Sequence, residues 1–145
     1  MADARKHIFL SYAREDRDFA KELSGLMKER GASVFFDTNA VALGEEWGSV
    51  LRKEIEKATA LVLLIPSRNV SDRNFIWFEA GAARALGKPV LAVLPPAHKA
   101  TRTEIPTDIA GLIILDAGER PLENIADMLI QAIPSTGNDT QVFAR

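Results

Sequence analysis

The chain has 145 residues, 47% hydrophobic and 26% charged, the proportions of one soluble domain with enough material for a proper core. A formal net charge of −2 gives no support to a surface that tracks nucleic-acid phosphates. With no cysteine there is no disulfide scaffold, thiolate nucleophile or cysteine metal site, which fits a reducing compartment. Met1 to Lys6 is charged and polar, and the apolar run Ile8–Leu10 is far shorter than a signal peptide. Leu61–Pro66 and Val90–Pro95 are strand-length, not membrane-length. A cytoplasmic chain with no membrane or nucleic-acid partner is expected.

In chain order, Ile8 to Tyr12 is a short run of β-formers that predicts a buried first strand. Glu15 to Arg30 carries Phe19, Leu23, Leu26 and Met27 on one stripe and predicts a helix, stopped by Gly31. The acidic pair Glu15 and Asp16 suits its first turn. Ser33 to Asp37 reads as strand two and Thr38 to Gly44 as a loop. Glu45 and Glu46 open a second helix whose buried stripe is Trp47, Leu51, Ile55 and Ala58. Leu61 to Ile65 is the most hydrophobic strand and is expected at the centre of the sheet.

Pro66 to Arg73 is a polar loop, and Asn74 suits the N-cap of a third helix ending near Gly87. That helix is apolar or small on nearly every side, which predicts burial all round. Val90 to Leu94 is strand four. Pro95 to Ala110 is poorly patterned and holds at most a short helix. Leu112 to Asp116 is strand five, and Pro121 fits the first position of a last helix that turns Leu122, Ile125, Leu129 and Ile133 inward. Residues 1–134 are therefore read as one domain, and 135–145 as a disordered tail or the start of a linker.

Strands alternating with helices at this spacing predict an α/β fold. The expected form is a flavodoxin-like three-layer sandwich, a five-stranded parallel sheet in order 2-1-3-4-5 with helices on both faces. Ligands of such sheets bind beyond the carboxyl ends of the strands where the winding reverses, here between strands one and three. Glu79, the one ionisable residue between Arg73 and Arg84, falls in the helix that follows strand three. A carboxylate among Phe and Trp residues must find partners, shift its pKa or face a cleft. It is either a functional group or a first-turn glutamate stabilised by the helix N-terminus. Phe75, four residues earlier, shares its helix face.

Other chemistries lack their residues. No G-x-G-x-x-G or P-loop motif follows strand one. His7 and His98, the two histidines, are far apart in sequence, against a zinc site or a Ser-His-Asp triad. Strand three ends in Ile65-Pro66-Ser67, without the aspartate of a phospho-accepting receiver.

Ile8 to Ala13, Val34 to Asp37, Leu43 to Trp47 and Leu63 to Ser67 resemble, in order, the sequence boxes of a TIR (Toll/interleukin-1 receptor homology) domain. Ser71 through Trp77-Phe78-Glu79 and Gly87 to Val90 continue the resemblance, which runs from about Lys6 to Ile133 and is nearest to bacterial members. It implies an NAD⁺ glycohydrolase or cyclase that cleaves the nicotinamide–ribose bond, active on self-assembly in bacterial antiphage immune signalling. NAD⁺ is then substrate, with no metal or other cofactor, and the partners are other TIR domains and a sensor domain or protein. The alternative is a non-catalytic scaffold acting by TIR–TIR contact; a nucleoside deoxyribosyltransferase-like enzyme is a more distant one.

By the resemblance Glu79 is the catalytic glutamate. Ser11, Tyr12 and Arg14 line the nucleotide cleft, where Arg14 either reaches a pyrophosphate or stays solvated. Asp37 holds a ribose or caps its loop. Ser71 either binds the substrate or orders the loop ahead of the glutamate, and Phe75 stands where the family commonly has Trp, as stacking ring or core. The loop from Thr38 to Trp47, with Val41, Ala42, Leu43, Gly44 and Trp47, is the implied self-association surface. Its aliphatics either meet another protomer or fold back on the sheet, and Trp47 is either helix core or ligand contact.

Overall fold

The computed structural model describes residues 6–35, 47–67, 73–98 and 112–135. The strands are β1 (His7–Ser11), β2 (Ser33–Phe35), β3 (Ala60–Leu64), β4 (Val90–Leu94) and β5 (Ile113–Asp116). The helices are α1 (Arg17–Glu29), α2 (Trp47–Lys57), α3 (Arg73–Ala85) and α4 (Leu122–Ala132), with 3-10 turns at Arg14–Asp16 and Pro96–His98. All four strand pairings are parallel, as the alternation of elements predicts, and the sheet order is β2-β1-β3-β4-β5, the order expected of flavodoxin-like folds.

Alternation along β1 divides the interior into two cores. Ile8, Leu10 and Tyr12 face α1 and α4, meeting Leu23, Met27, Ile125 and Leu129. Phe9 and Ala13 face the other way, toward Ile55 of α2 and Ile76, Ala80 and Ala83 of α3. Strand β3 lies at the centre and is buried along its whole length, so Leu61, Leu63, Val62 and Leu64 serve the two cores alternately. Each such aliphatic side chain contributes about 1.5–3 kcal/mol on burial.

Two helices end as their glycines dictate. Gly31 (φ +92°) and Gly87 (φ +76°) occupy the left-handed region that other residues avoid. Beyond α1, Ala32 N–H donates to Met27 O and Gly31 N–H to Lys28 O; beyond α3, Lys88 N–H donates to Ala83 O and Gly87 N–H to Arg84 O. Both are Schellman closures, which satisfy the last helical carbonyls.

Local expectations are corrected in α3 and α4. Helix α3 starts at Arg73, which puts Asn74 inside it rather than at its N-cap. The helix is not buried all round: Phe78 is 58% exposed, because the sheet covers one face of α3 only. Asp16 does stand at the head of α1, but its carboxylate makes no capping hydrogen bond. Pro121 precedes α4 as its N-cap, one position ahead of that expected. The stretch after Pro95 contains the short turn Pro96–His98, and the rest of it lies outside the described residues, as do residues 136–145 and 36–46, where a tail and most of a loop were expected.

Candidate functional site

The sheet reverses its winding between β1 and β3, and the carboxyl end of β1 delivers Ser11 to that point. Ser11 pairs in register with Leu63 of β3 and is fully buried. Its side chain leaves the sheet on the face that α3 covers. Glu79 sits on the inward stripe of α3 with Ile76, Ala80 and Ala83, a spacing that turns all four toward the sheet. The Ser11 hydroxyl donates a short hydrogen bond to Glu79 Oε1 across 68 residues of sequence.

Glu79 is 2% exposed, and its other oxygen, Oε2, is buried without a hydrogen bond to any described residue. Loss of hydration disfavours the ionised carboxylate and pushes its pKa from 4.5 to about 7; the Ser11 hydroxyl opposes part of that rise. Burial thus brings the ionisation of Glu79 into the neutral range. A carboxylate with one oxygen anchored and the other unsatisfied can accept from a hydroxyl or face a developing positive charge.

The remaining residues singled out in the sequence separate. Tyr12 follows Ser11 but points to the opposite face, where its ring joins the α1/α4 core. Arg14 opens the 3-10 turn after β1 with an exposed side chain. Asp37, Val41, Ala42, Leu43, Gly44 and Ser71 lie outside the described residues. Trp47 and Phe75 fall in the first turns of α2 and α3, and their side chains are likewise outside the described set. Trp77 packs against the α2/α3 core, and its Nε1 is buried without an acceptor among the described residues. Two cavities beside α2, of about 510 and 250 Å³, are lined by neither Ser11 nor Glu79.

A second polar cluster sits at the same edge of the sheet, on the α1 side. His98 Nε2 lies 2.7 Å from Asp16 Oδ1 and 3.7 Å from Glu15 Oε2. Asp16 and His98 are each 7% exposed. Burial raises the Asp16 pKa, and the hydrogen bond from His98 pulls it partly back. Nothing in the sequence marks this contact, since its two halves are 82 residues apart and His98 falls in an unpatterned stretch.

Topology and site together define a flavodoxin-like α/β domain that holds a buried carboxylate, anchored at one oxygen by Ser11, where its winding reverses. Residues 8–129 match the sequence profile of the TIR domain, and the chain belongs to that family. Its fold is similar to the TIR domain of the Toll-related receptor TRR-2 from Hydra magnipapillata (TM-score 0.58, 14% identity, 86% of this chain and 94% of that one). It is also similar to the Clostridium botulinum CMP N-glycosidase BcmB (TM-score 0.59, 18% identity, 88% of this chain and 100% of that one). The TIR domains of the activated Roq1 resistosome, which recognises the pathogen effector XopQ, superpose with a TM-score of 0.51 at 18% identity, over 88% of this chain and 71% of that one. In sequence, the chain is 43% identical over 51 residues to a probable 2′ cyclic ADP-D-ribose synthase, TcpO, of Methanobrevibacter olleyae. That match takes in 34% of this chain and 14% of the relative's length. No helix among the described residues is long and apolar enough to cross a membrane.

Proposed function

We propose that this TIR domain is an NAD⁺ glycohydrolase or cyclase with Glu79 as its catalytic carboxylate. The observation that carries the reading is the state of Glu79: buried at the switch point, held at Oε1 by Ser11, and without a partner for Oε2 among the described residues. The TIR family match and the partial relative named as a cyclic ADP-ribose synthase support the same substrate.

In this reading nicotinamide leaves with the electron pair of its bond to ribose C1′, so that neutral nicotinamide departs and positive charge spreads over C1′ and the ring oxygen. Glu79 Oε2 accepts from a ribose hydroxyl, and the carboxylate stabilises the oxocarbenium-like sugar. Water then adds at C1′ and loses a proton to give ADP-ribose; attack by a nucleophile of the same molecule gives a cyclic product instead. Ser11 fixes the carboxylate. Arg14, Asp37, Ser71 and Phe75 are assigned to the nucleotide, and the 38–47 loop, with Trp47, to contact with a second TIR domain. The physiological setting is cytoplasmic antiphage signalling, with assembly driven by a sensor.

The test is nicotinamide release from NAD⁺ at high protein concentration, beside folded Glu79→Gln. Release by the wild type alone supports the assignment. Equal release by both removes Glu79 from the chemistry. Silence from both, with the domain also artificially clustered, favours a scaffold that acts only through TIR–TIR contact.

A further inference from the structure

We propose that Glu15, Asp16 and His98 form a site for one divalent transition-metal ion, clasping the turn after β1 to the turn after β4. The inference is independent of the chemistry assigned to Glu79. One ligand atom from each residue lies within 4.8 Å of the other two. Two carboxylates thus face one imidazole nitrogen, which has at most one proton to give them. The arrangement is acceptor-rich. Asp16 Oδ2, on a nine-tenths buried side chain, makes no hydrogen bond to any described residue. Asp16 also stands at the N-cap position without using its carboxylate to cap the helix, so the side chain is committed to the cluster.

The separations from the imidazole nitrogen to the two carboxylates are near what an ion requires. Tetrahedral ligands about 2.0–2.2 Å from a common zinc ion stand about 3.3–3.6 Å from each other. The distances from His98 Nε2 to Asp16 and Glu15, 2.7 and 3.7 Å, bracket that range. Glu15, with a side chain 44% exposed, supplies the adjustable ligand and the path of entry. One nitrogen and two carboxylates suit Zn²⁺ or Mn²⁺, with water completing the coordination. Two ionised carboxylates match the charge of the ion and offset the unfavourable dipole of the α1 N-terminus. No second histidine is needed, because carboxylates supply the other ligands. β1 and β4 flank β3, so the ion would bridge across the end of the central strand.

The test uses the full chain, free of any histidine tag and stripped with chelator, titrated with Zn²⁺ alone. Calorimetry is expected to show one equivalent bound, and Glu15→Ala, at an accessible position, to weaken binding about tenfold or more. The chain has two histidines, so ¹⁵N spectra of their rings locate the ion without a variant that might unfold. Zn²⁺ is expected to shift a ring nitrogen of His98 and leave His7 unmoved. Absence of saturable binding by folded protein would overturn the proposal. So would stoichiometric binding that leaves His98 unshifted or is indifferent to Glu15→Ala.

Discussion

Ser11 and Glu79, one at the end of a strand and one on the inner face of a helix, share a hydrogen bond that satisfies a single oxygen of the carboxylate. The hydroxyl favours the ionised form while burial opposes it, and burial prevails. The ionisation of Glu79 is thus set by two nearby and opposed causes, each of which one substitution can remove.

The ionised carboxylate is the form that stabilises a cationic sugar, so kcat/KM for nicotinamide release should rise with pH through about 7, the pKa of the free protein. Ser11→Ala removes the interaction that favours ionisation, and the acidic limb should move to higher pH. An unmoved limb would separate Ser11 from the carboxylate. Initial rates in overlapping buffers from pH 5.5 to 9 make the comparison.

Stability should carry the opposite signature. Below pH 4.5 both folded and unfolded chains hold the Glu79 proton; between 4.5 and about 7 the unfolded chain releases it first. Rising pH therefore costs the folded state up to about 3 kcal/mol, at about 1.4 kcal/mol per pK unit. Glu79→Gln has no such proton to lose. Urea midpoints at pH 5 and pH 8 should show wild type losing more ground than the variant.

Leu63 and Leu64 are both fully buried on β3 but serve opposite cores. Either one changed to alanine should cost about 2–5 kcal/mol. Only Leu63, opposite Ser11 in register, shares the Glu79 face. Leu63→Ala should lower the acidic limb by relieving desolvation, and Leu64→Ala should leave it in place.

Two glycines should respond to alanine with opposite sign. At Gly31 the φ of +92° strains any side chain, and the substitution should cost about 1 kcal/mol. Gly25 lies inside α1, exposed and with no atom within 4 Å of an added Cβ, so Gly25→Ala should stabilise by about 0.5–1 kcal/mol. Thermal or urea unfolding reads both.

The elements were legible because they rest on local signals, apolar runs of strand length and the glycines at 31 and 87 that close α1 and α3, whereas the sheet order came from the statistics of such folds and the structure agrees with it. The same order brought Glu79 toward the end of β1, and Ser11 does meet it there. Side-chain direction was not legible at this level. Tyr12 turns to the far core because alternation along β1 reverses at each residue, and Phe78 faces outward because α3 is covered on one side. The Asp16–His98 contact joins turns that no periodicity connects, and it needed coordinates.

Parallel pairing also orders events in time. Synthesis at about 5–20 residues per second separates Ser11 from Glu79, 68 positions on, by roughly 3–14 s. β1 likewise waits for β3, and Thr59, just ahead of that strand, donates its N–H to His7 O from 52 positions downstream. A nascent chain therefore emerges with its hydroxyl in place and no carboxylate to receive it. The paired site comes into being only after α3 has left the ribosome.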